Sequence, residues 1–298
     1  MNQQNNMNLI LQAPKQDAVS PSVIESVIES IAALAGGRAE RLAEARVPDA
    51  DAWCVAGAQV DDARKTSIDA ACLQARLDYA FIDAGRKLAD FRLVAMDMDS
   101  TLITIECIDE IADMQGLKPQ VAEITEAAMR GEIEFNESLT RRVALLKGLD
   151  AGALQRVYDE RLQLSPGAEN MLKAVQAAGL KTLLVSGGFT FFTDRMKARL
   201  NLDYTHANTL EVLDGKLTGK VVGGIVNADE KRATVERICR EIGAEPAQAI
   251  VMGDGANDLR MMGISGLSVA FRAKPVVRAQ ASVGLNFVGL DGILNLLA

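Results

Sequence analysis

The stretch "VAMDMDSTLITIE", residues 94–106, joins an apolar run to two aspartates, Asp97 and Asp99, that stand two positions apart. The apolar run predicts a buried strand, in which successive side chains point to opposite faces. Asp97 and Asp99 therefore point the same way if the strand continues, and both reach the edge of the sheet if it ends there. Because two carboxylates repel each other in an apolar setting, the pair requires either separate solvated positions or a cation.

Two later apolar runs have the same design. "KTLLVSGG", residues 181–188, and "QAIVMGDG", residues 248–255, each end in small or acidic residues, and amphipathic helical patterns alternate with them. Strands and helices in alternation indicate an α/β fold with a doubly wound parallel sheet, whose ligands bind beyond the carboxyl ends of the strands. The polar residues that end these runs all fall at that edge, so we expect one site there.

Two segments depart from this plain alternation. Residues 107–165 have a mainly helical pattern that is longer than a crossover between strands needs, which predicts an inserted helical cap. Residues 204–224 are polar and rich in glycine, which predicts hairpins ahead of Lys231.

The first part of the chain predicts a small α+β module with the element order βαββαβ. Its strands are expected at residues 8–13, 39–47, 52–58 and 78–84, and its helices at residues 21–36 and 62–77. These strands carry no catalytic constellation. We therefore expect two domains, 1–88 and 89–298, with the cap inserted into the second.

The overall charge and the start of the chain restrict its partners. The 298 residues carry a net charge of −8, and binding to a nucleic acid backbone requires a basic face, so no nucleic acid partner is expected. The first residues lack the basic and apolar regions of a signal peptide, and no stretch approaches the roughly 18 apolar residues of a membrane-spanning helix. We expect a cytoplasmic protein with no membrane partner.

Cysteine and histidine usage excludes several kinds of site. The four cysteines are scattered and form no CxxC pair, which predicts neither a zinc site nor a disulfide framework. His206 is the only histidine, so multi-histidine metal sites are excluded and a Ser-His-Asp triad would depend on this one residue.

A second acidic cluster lies in "IVMGDGANDLRMM", residues 250–262, which contains Asp254, Asn257 and Asp258. Ordinary turn chemistry is one interpretation. A dinucleotide fingerprint fails, because Asp258 stands where its third glycine should be, and neither acidic cluster matches a calcium-binding EF-hand loop. The remaining interpretation is a carboxylate site for a hard divalent ion, and Mg²⁺ prefers one or two carboxylates together with water and substrate phosphate.

Two further segments offer groups that a phosphate would need. Ser186, Gly187 and Gly188 precede a helix, so a hydroxyl and unhindered backbone N–H groups can face an anion. Lys231 opens an amphipathic helix. Seen alone, the first is an ordinary turn and the second an ordinary solvent-facing lysine.

Taken together and in this order, the motifs resemble those of the haloacid dehalogenase superfamily of phosphotransferases, over about residues 90–298. The resemblance implies a phosphoryl-transfer site. Its catalytic groups are Asp97 as nucleophile, Asp99 as general acid and base, and Lys231. Its other phosphoryl-binding groups are Ser186, Gly187 and Asn257. Its Mg²⁺ ligands are the Asp97 carboxylate, the Asp99 backbone carbonyl and Asp254, with Thr101 nearby and Asp258 orienting Lys231 or the metal-bound waters.

Within the superfamily the chain resembles the phosphoserine phosphatase family, through "DMDSTLI", "ECIDEIA", "VSGGF" and "GDGANDLRM". This resemblance implies Mg²⁺-dependent hydrolysis of the small molecule O-phosphoserine, the last step of phosphorylated serine biosynthesis. It implies that Glu106 binds the substrate ammonium, that Arg142 binds its carboxylate, and that Met129 and Phe135 cover it from the cap. An arginine fork suits a carboxylate, and a glutamate suits an ammonium.

Other functions remain open at this stage. A related phosphatase could act on phosphothreonine or phosphoethanolamine, and a related phosphotransferase could pass the phosphate to another alcohol. A non-catalytic regulator could bind an amino acid through the first module. A nucleotide-binding oxidoreductase is disfavoured by the missing third glycine. The region before residue 88 resembles an ACT-like module, and because such modules often bind amino acids at dimer interfaces, a homodimer is a candidate assembly.

Overall fold

The computed structural model describes residues 7–15, 21–42, 46–130 and 132–297. The strands are β1 Met7–Pro14, β2 Glu40–Arg41, β3 Ala50–Val55, β4 Asp78–Asp83, β5 Leu93–Met96, β6 Lys181–Phe189, β7 Tyr204–Leu213, β8 Lys216–Val222, β9 Ala249–Gly253, β10 Leu267–Phe271 and β11 Val283–Leu285. The helices are α1 Pro21–Leu34, α2 Asp62–Gln74, α3 Cys107–Asp113, α4 Lys118–Met129, α5 Phe135–Leu145, α6 Gly152–Glu160, α7 Ala168–Ala177, α8 Thr190–Leu200, α9 Ala228–Glu241, α10 Leu259–Met262, α11 Pro275–Arg278 and α12 Ile293–Leu296. Among the helices described, none has the length and apolar character needed to cross a bilayer.

The strands form one 11-stranded sheet in the order β2-β3-β1-β4-β11-β10-β9-β5-β6-β7-β8. Neighbours from β11 to β7 pair in parallel, which confirms the predicted parallel sheet. Strand β5 lies between β9 and β6, with Met96 opposite Met252 on one side and Leu184 on the other. The quoted stretch therefore begins in the middle of the parallel part.

Both faces of β5 are buried, which explains why its residues are apolar without alternation. Leu93 and Ala95 belong to one hydrophobic cluster, together with Val235 of α9, whereas Val94 and Met96 belong to the cluster on the other face. Helices therefore cover both faces, as the doubly wound arrangement requires.

The predicted insertion and hairpin are both present. Helices α3 to α6 occupy the segment between β5 and α7, which confirms the helical pattern at residues 107–165. Strands β7 and β8 form an antiparallel hairpin ahead of Lys231.

The first module has the expected element order, and its strands are arranged β2-β3-β1-β4, as in a ferredoxin-like split βαβ unit. The strand expected at residues 39–47 is much shorter in the structure. Strand β2 contains only Glu40 and Arg41, both exposed, and it pairs with β3 alone at the outer edge of the sheet. Residues 43–45 of that prediction lie outside the described residues.

The sheet continues across the predicted boundary between the two domains. Strand β4 pairs with β11 through Tyr79 and Gly284, and Ile10 and Ile82 belong to the same hydrophobic cluster as Val94 and Met96 of β5. Asp78 of β4 is 1% exposed, and its carboxylate accepts the backbone N–H groups of residues 286, 287 and 288 at 2.8, 2.9 and 2.9 Å. The first module thus shares both a sheet and a core with the rest of the chain.

Candidate active site

Asp97 is the first residue after β5, so the strand ends where the pair of charges begins. The Asp97 side chain is buried, and its Oδ1 accepts the Met98 N–H at 2.7 Å and lies 2.9 Å from the Lys231 Nζ. Burial raises the pKa of Asp97 well above its usual range, although the Lys231 charge opposes this shift. Within the described part of the chain, both contacts fall on Oδ1, so Oδ2 is the oxygen available to a ligand.

Asp99 lies in the irregular turn Met98–Leu102, where Ser100 has a φ of +56°. This left-handed conformation is uncommon for a residue with a Cβ. The Asp99 Oδ1 accepts the Cys107 N–H at 3.0 Å, and its Oδ2 packs against Gly188, where a Cβ would meet it at 2.5 Å. Burial and the nearby Glu106 charge raise the pKa of Asp99 to about 7, so it can both donate and accept a proton near neutral pH.

Lys231 is completely buried beneath the cavity, in the first turns of α9. Its ammonium donates to Asp258 Oδ1 at 2.7 Å and pairs with Asp97. Burial alone would lower the pKa of Lys231, but the two carboxylates outweigh it and raise the pKa. The lysine is therefore a fixed positive charge, and the solvent-facing alternative for it is wrong.

Asp258 is fully buried, and its carboxylate has three hydrogen bonds. Besides Lys231, it accepts the backbone N–H groups of Asp254 and Gly255 at 3.2 and 3.0 Å. These bonds order the loop after β9 around the lysine.

Asp97, Asp254 and Asp258 form a cluster of carboxylates, each with an oxygen within 4.8 Å of the others. Thr101 donates to Asp254 Oδ1 at 3.1 Å, and burial together with the Asp258 charge raises the pKa of Asp254 to about 7. Three carboxylates at this distance repel each other, and oxygen ligands suit Mg²⁺, so the residues present fit this ion.

The turn after β6 supplies a hydroxyl and two glycines beside Asp99. Ser186 is buried, and its Oγ accepts the Gly188 N–H at 2.9 Å. Asn208 of β7 holds this turn, because its Nδ2 donates to the Gly187 carbonyl at 2.7 Å.

The cavity above these groups has a volume of about 360 Å³, and cap residues line one side of it. Glu106, Phe135 and Arg142 all face this cavity. Ser100 donates to Glu106 Oε1 at 2.6 Å, and desolvation raises the pKa of Glu106. Within the described residues, the buried Arg142 Nε has no hydrogen-bond partner, and desolvation lowers the pKa of Arg142.

The cavity thus brings together residues that are far apart in sequence. Asp97, Asp99, Ser186, Gly187, Asp254 and Asn257 line it, while Lys231, Asp258 and Thr101 lie beneath. Met129 is the last residue of α4, and its side chain lies outside the described part of the structure.

Sequence reasoning missed several residues of the site. Ser100, Asp109, Thr125 and Lys274 also line the cavity, and Asn208 supports it from below. Ser100 and Asp109 were detectable, since they lie inside the quoted motifs "DMDSTLI" and "ECIDEIA". Thr125, Lys274 and Asn208 lie on a helix, a loop and a strand that only the folded chain brings to the cavity.

Comparison with known protein families identifies a match over most of the chain that follows the first module. The family model of the haloacid dehalogenase-like hydrolases matches residues 91–266. A phosphoserine phosphatase from Polaromonas sp. is 58% identical over 216 residues, which cover 71% of this chain and 92% of that protein.

Solved structures extend the comparison. A probable phosphoserine phosphatase from Vibrio cholerae, in its unliganded form, has a TM-score of 0.79 at 34% identity and covers 100% of this chain and 88% of its own. A phospho-aspartyl intermediate analogue of phosphoserine phosphatase has a TM-score of 0.66 at 38% identity, covering 70% of this chain and 99% of its own.

Proposed function

Since the chain belongs to the haloacid dehalogenase-like hydrolases, we propose that it is an enzyme that hydrolyses O-phospho-L-serine to L-serine and inorganic phosphate. Relatives that are more than half identical to it over more than 200 aligned residues are phosphoserine phosphatases. The chain is therefore a hydrolase of phosphate monoesters.

One observation carries the choice of substrate. A single cavity holds a phosphoryl-transfer set at its floor and two opposite charges, Glu106 and Arg142, on its cap side. O-phosphoserine carries a phosphate, an ammonium and a carboxylate on one small skeleton. The buried Arg142 Nε has no hydrogen-bond partner among the residues that the structure describes, which supports a substrate carboxylate as its acceptor.

The reaction uses the two aspartates in turn. An Asp97 carboxylate oxygen attacks phosphorus, the bond from phosphorus to the serine oxygen breaks, and an aspartyl-phosphate forms. Asp99 protonates the departing serine oxygen and then, as a carboxylate, removes a proton from the water that cleaves the aspartyl-phosphate. A pKa of about 7 suits both roles near neutral pH.

Buried positive charge and backbone dipoles stabilise the phosphoryl group. The Lys231 ammonium, fixed between Asp97 and Asp258, neutralises charge at the attacking carboxylate. Ser186, the Gly187 amide and Asn257 hold the phosphoryl oxygens from the other side of the cavity.

Mg²⁺ is the proposed cofactor, held by the Asp97 and Asp254 carboxylates and the Asp99 backbone carbonyl. When bound, the ion supplies Lewis-acid stabilisation of the phosphoryl charge and offsets repulsion by the nucleophile. Asp258 is a poorer ligand, because its two oxygens already accept three hydrogen bonds.

The cap residues orient the amino acid part and exclude water. Glu106 binds the ammonium, Arg142 binds the carboxylate, and Phe135 covers the cavity over Gly187, with Met129 proposed beside it. Exclusion of bulk water until the intermediate has formed favours transfer to Asp97.

The remaining assignments are proposals about context. The reaction completes phosphorylated serine biosynthesis, residues 1–88 form an ACT-like domain before the phosphatase domain 89–298, and the chain forms a homodimer. The βαββαβ order of the first module supports the proposed ACT-like domain.

Phosphate release tests the proposed function directly. Wild-type protein and the Asp97→Asn variant are assayed with phosphoserine, phosphothreonine and p-nitrophenyl phosphate, each with Mg²⁺ and with EDTA. We expect Mg²⁺-dependent turnover that is fastest with phosphoserine, and no turnover by the variant at an unchanged melting temperature. Preference for another ester would redirect the proposal, and substantial turnover by Asp97→Asn would exclude Asp97 as nucleophile.

A further inference from the structure

The first turn of α5 contacts the core of the protein at two neighbouring points. The Phe135 ring lies over Gly187, where a Cβ would approach Cζ at 3.1 Å. The next residue, Asn136, accepts a hydrogen bond from the Asn227 Nδ2 at 3.3 Å. The cap is therefore held at two points. One is an apolar contact with the turn Ser186–Gly188, called here the phosphoryl-binding turn, and the other is a polar contact with the start of α9.

Asn227 joins the cap to the helix that carries Lys231. Its Oδ1 accepts the N–H groups of Asp229 and Glu230, both at 3.1 Å, and its carbonyl accepts the Lys231 N–H at 2.9 Å. An asparagine at this position satisfies the free N–H groups of a helix start. Its Nδ2 is left for Asn136, so one side chain both begins α9 and contacts the cap.

A buried asparagine links this point to the phosphoryl-binding turn. Asn208 is 1% exposed, accepts the Val226 N–H at 2.8 Å and donates to the Gly187 carbonyl at 2.7 Å. Val226 directly precedes Asn227. The Asn208 side chain therefore connects Gly187, which contacts Phe135, to the residue before Asn227, which contacts Asn136. The contacts of the cap thus share a frame with Gly187 and Lys231.

Arg142 lies on α5 seven residues after Phe135, which places the two on the same face, about two turns apart. Any rotation or shift of α5 at its first turn therefore changes the distance between the Arg142 guanidinium and the phosphoryl-binding groups. A substrate with a phosphate and a carboxylate on one skeleton requires that distance to be fixed, because misplacement by about 1 Å can cost about 100-fold in rate.

We propose that Asn136 and Asn227 are a pair of positioning residues that sets α5 over the phosphoryl site and so couples recognition of the substrate's amino acid part to recognition of its phosphate. This inference rests on the proposed function. It predicts that loss of the contact affects substrates that use both ends of the cavity and spares those that use the phosphoryl end alone.

Three aspartate variants test the pair without removing the start of α9. Asn136→Asp keeps the Asn227 amide as donor, and Asn227→Asp keeps the Asn136 amide, which can rotate to donate. The double variant has two acceptors, no donor and mutual repulsion, while an aspartate at residue 227 still accepts the N–H groups of α9. Asn136→Leu removes the contact without adding charge.

Steady-state kinetics with phosphoserine and with p-nitrophenyl phosphate give the readout. We expect each single aspartate variant within about threefold of wild type in kcat/KM, and the double variant and Asn136→Leu about tenfold lower on phosphoserine, because Arg142 of α5 is then no longer held at a fixed distance from the phosphoryl-binding groups. On p-nitrophenyl phosphate we expect all four within about threefold, since this substrate does not use Arg142.

Two results would overturn the pairing. The double variant could match the single variants on phosphoserine, or it could lose equally on both substrates, which would mean that the new charge acts on Lys231. Wild-type protein that hydrolyses only p-nitrophenyl phosphate would instead contradict the proposed function, and the coupling with it.

Discussion

Two adjacent arginines of α5 have opposite surroundings. Arg141 is exposed and pairs with Glu137 one turn earlier, whereas Arg142 faces the cavity and has a buried Nε with no partner in the described structure. An exposed pair contributes little to stability, and an unpartnered buried nitrogen has a cost that a bound carboxylate would remove. The pair gives a matched test of carboxylate recognition.

We expect Arg142→Ala to lower kcat/KM for phosphoserine by roughly 30-fold or more, because the substrate carboxylate loses its partner in a desolvated site. Turnover of p-nitrophenyl phosphate should change much less, and Arg141→Ala should resemble wild type with both substrates. Equal losses on both substrates would show that Arg142 does not bind the carboxylate.

Gly188 is a second residue at which the surrounding atoms determine the effect of a substitution. A Cβ at this position would lie 2.5 Å from Asp99 Oδ2, closer than any stable contact, whereas one at Gly224 would meet nothing within 4 Å. Gly188→Ala should displace the Asp99 carboxylate and lower kcat by about 100-fold. Gly224→Ala is the control for backbone effects, and full activity of Gly188→Ala would mean that Asp99 tolerates the displacement.

At the scale of elements, the loop after β9 and the start of α9 depend on one buried carboxylate. Asp258 accepts bonds from Lys231 and two backbone N–H groups, so it connects these two elements beneath the cavity. Asp229 lies in the first turn of the same helix and contacts Arg260, but its side chain is 70% exposed.

Asp258→Asn should lower the free energy of unfolding by about 3–5 kcal/mol. The Lys231 ammonium loses one of its two carboxylate partners, and the new side-chain amide group faces either Lys231 or the backbone N–H groups, which are also donors. Asp229→Asn should change it little. Chemical denaturation of both variants measures the difference, and similar values for the two would contradict a connecting role for Asp258.

Strands β5, β6 and β9 of the parallel part were predictable from the sequence because they are continuous apolar runs that end in polar residues, whereas β10 and β11 were not predicted. The short β2 was not, because its residues Glu40 and Arg41 are exposed and its pairing depends on β3 alone. The irregular turn at Met98–Leu102 was also not predictable, since the left-handed Ser100 results from bonds that Asp97, Ile105 and Glu106 make around it.

At the scale of the whole molecule, the two predicted domains are joined along a seam between β4 and the residues after β11. Asp78 supplies three of the hydrogen bonds across it, and Asn295 donates to Gln12 at 3.0 Å between buried side chains. None of these seam residues is among the described residues that line the active-site cavity.

Asp78→Asn should destabilise the protein by about 1–3 kcal/mol, because its amide cannot accept all of these N–H groups. Turnover at low temperature should be retained. Asp83→Asn, at the exposed end of the same strand, is the control. Thermal unfolding followed alongside activity separates the two effects, and an unchanged midpoint would argue that the seam does not depend on this carboxylate.

The carboxylate cluster predicts a dependence of stability on pH and metal. The pKa values of Asp99 and Asp254 are raised to about 7, so the folded protein binds these protons more tightly than the unfolded chain, in which they leave near pH 4. The stability that the two groups contribute is complete below about pH 4 and is lost as the pH rises through about 7.

In EDTA we therefore expect Asp254→Asn to melt above wild type at pH 8, with a smaller difference at pH 5. Mg²⁺ should also raise the melting temperature of the wild-type protein at pH 8. At a hundredfold excess of Mg²⁺ over its Kd, the free energy of unfolding should increase by about 2.7 kcal/mol, and the increase should be much smaller for the variant. An equal response of both proteins to Mg²⁺ would place the ion elsewhere.

The sequence by itself determined the parallel sheet, the position of the inserted helices and the order of the residues that meet at the sheet edge. Apolar runs, turn residues and motifs are local, so they can be recognised without coordinates. Only the tertiary structure decided that Lys231 is fully buried between Asp97 and Asp258, that Asn136 meets Asn227, and that the first module shares one sheet with the rest. These features depend on contacts between residues far apart in the chain, and distance in sequence carries no signal of distance in space.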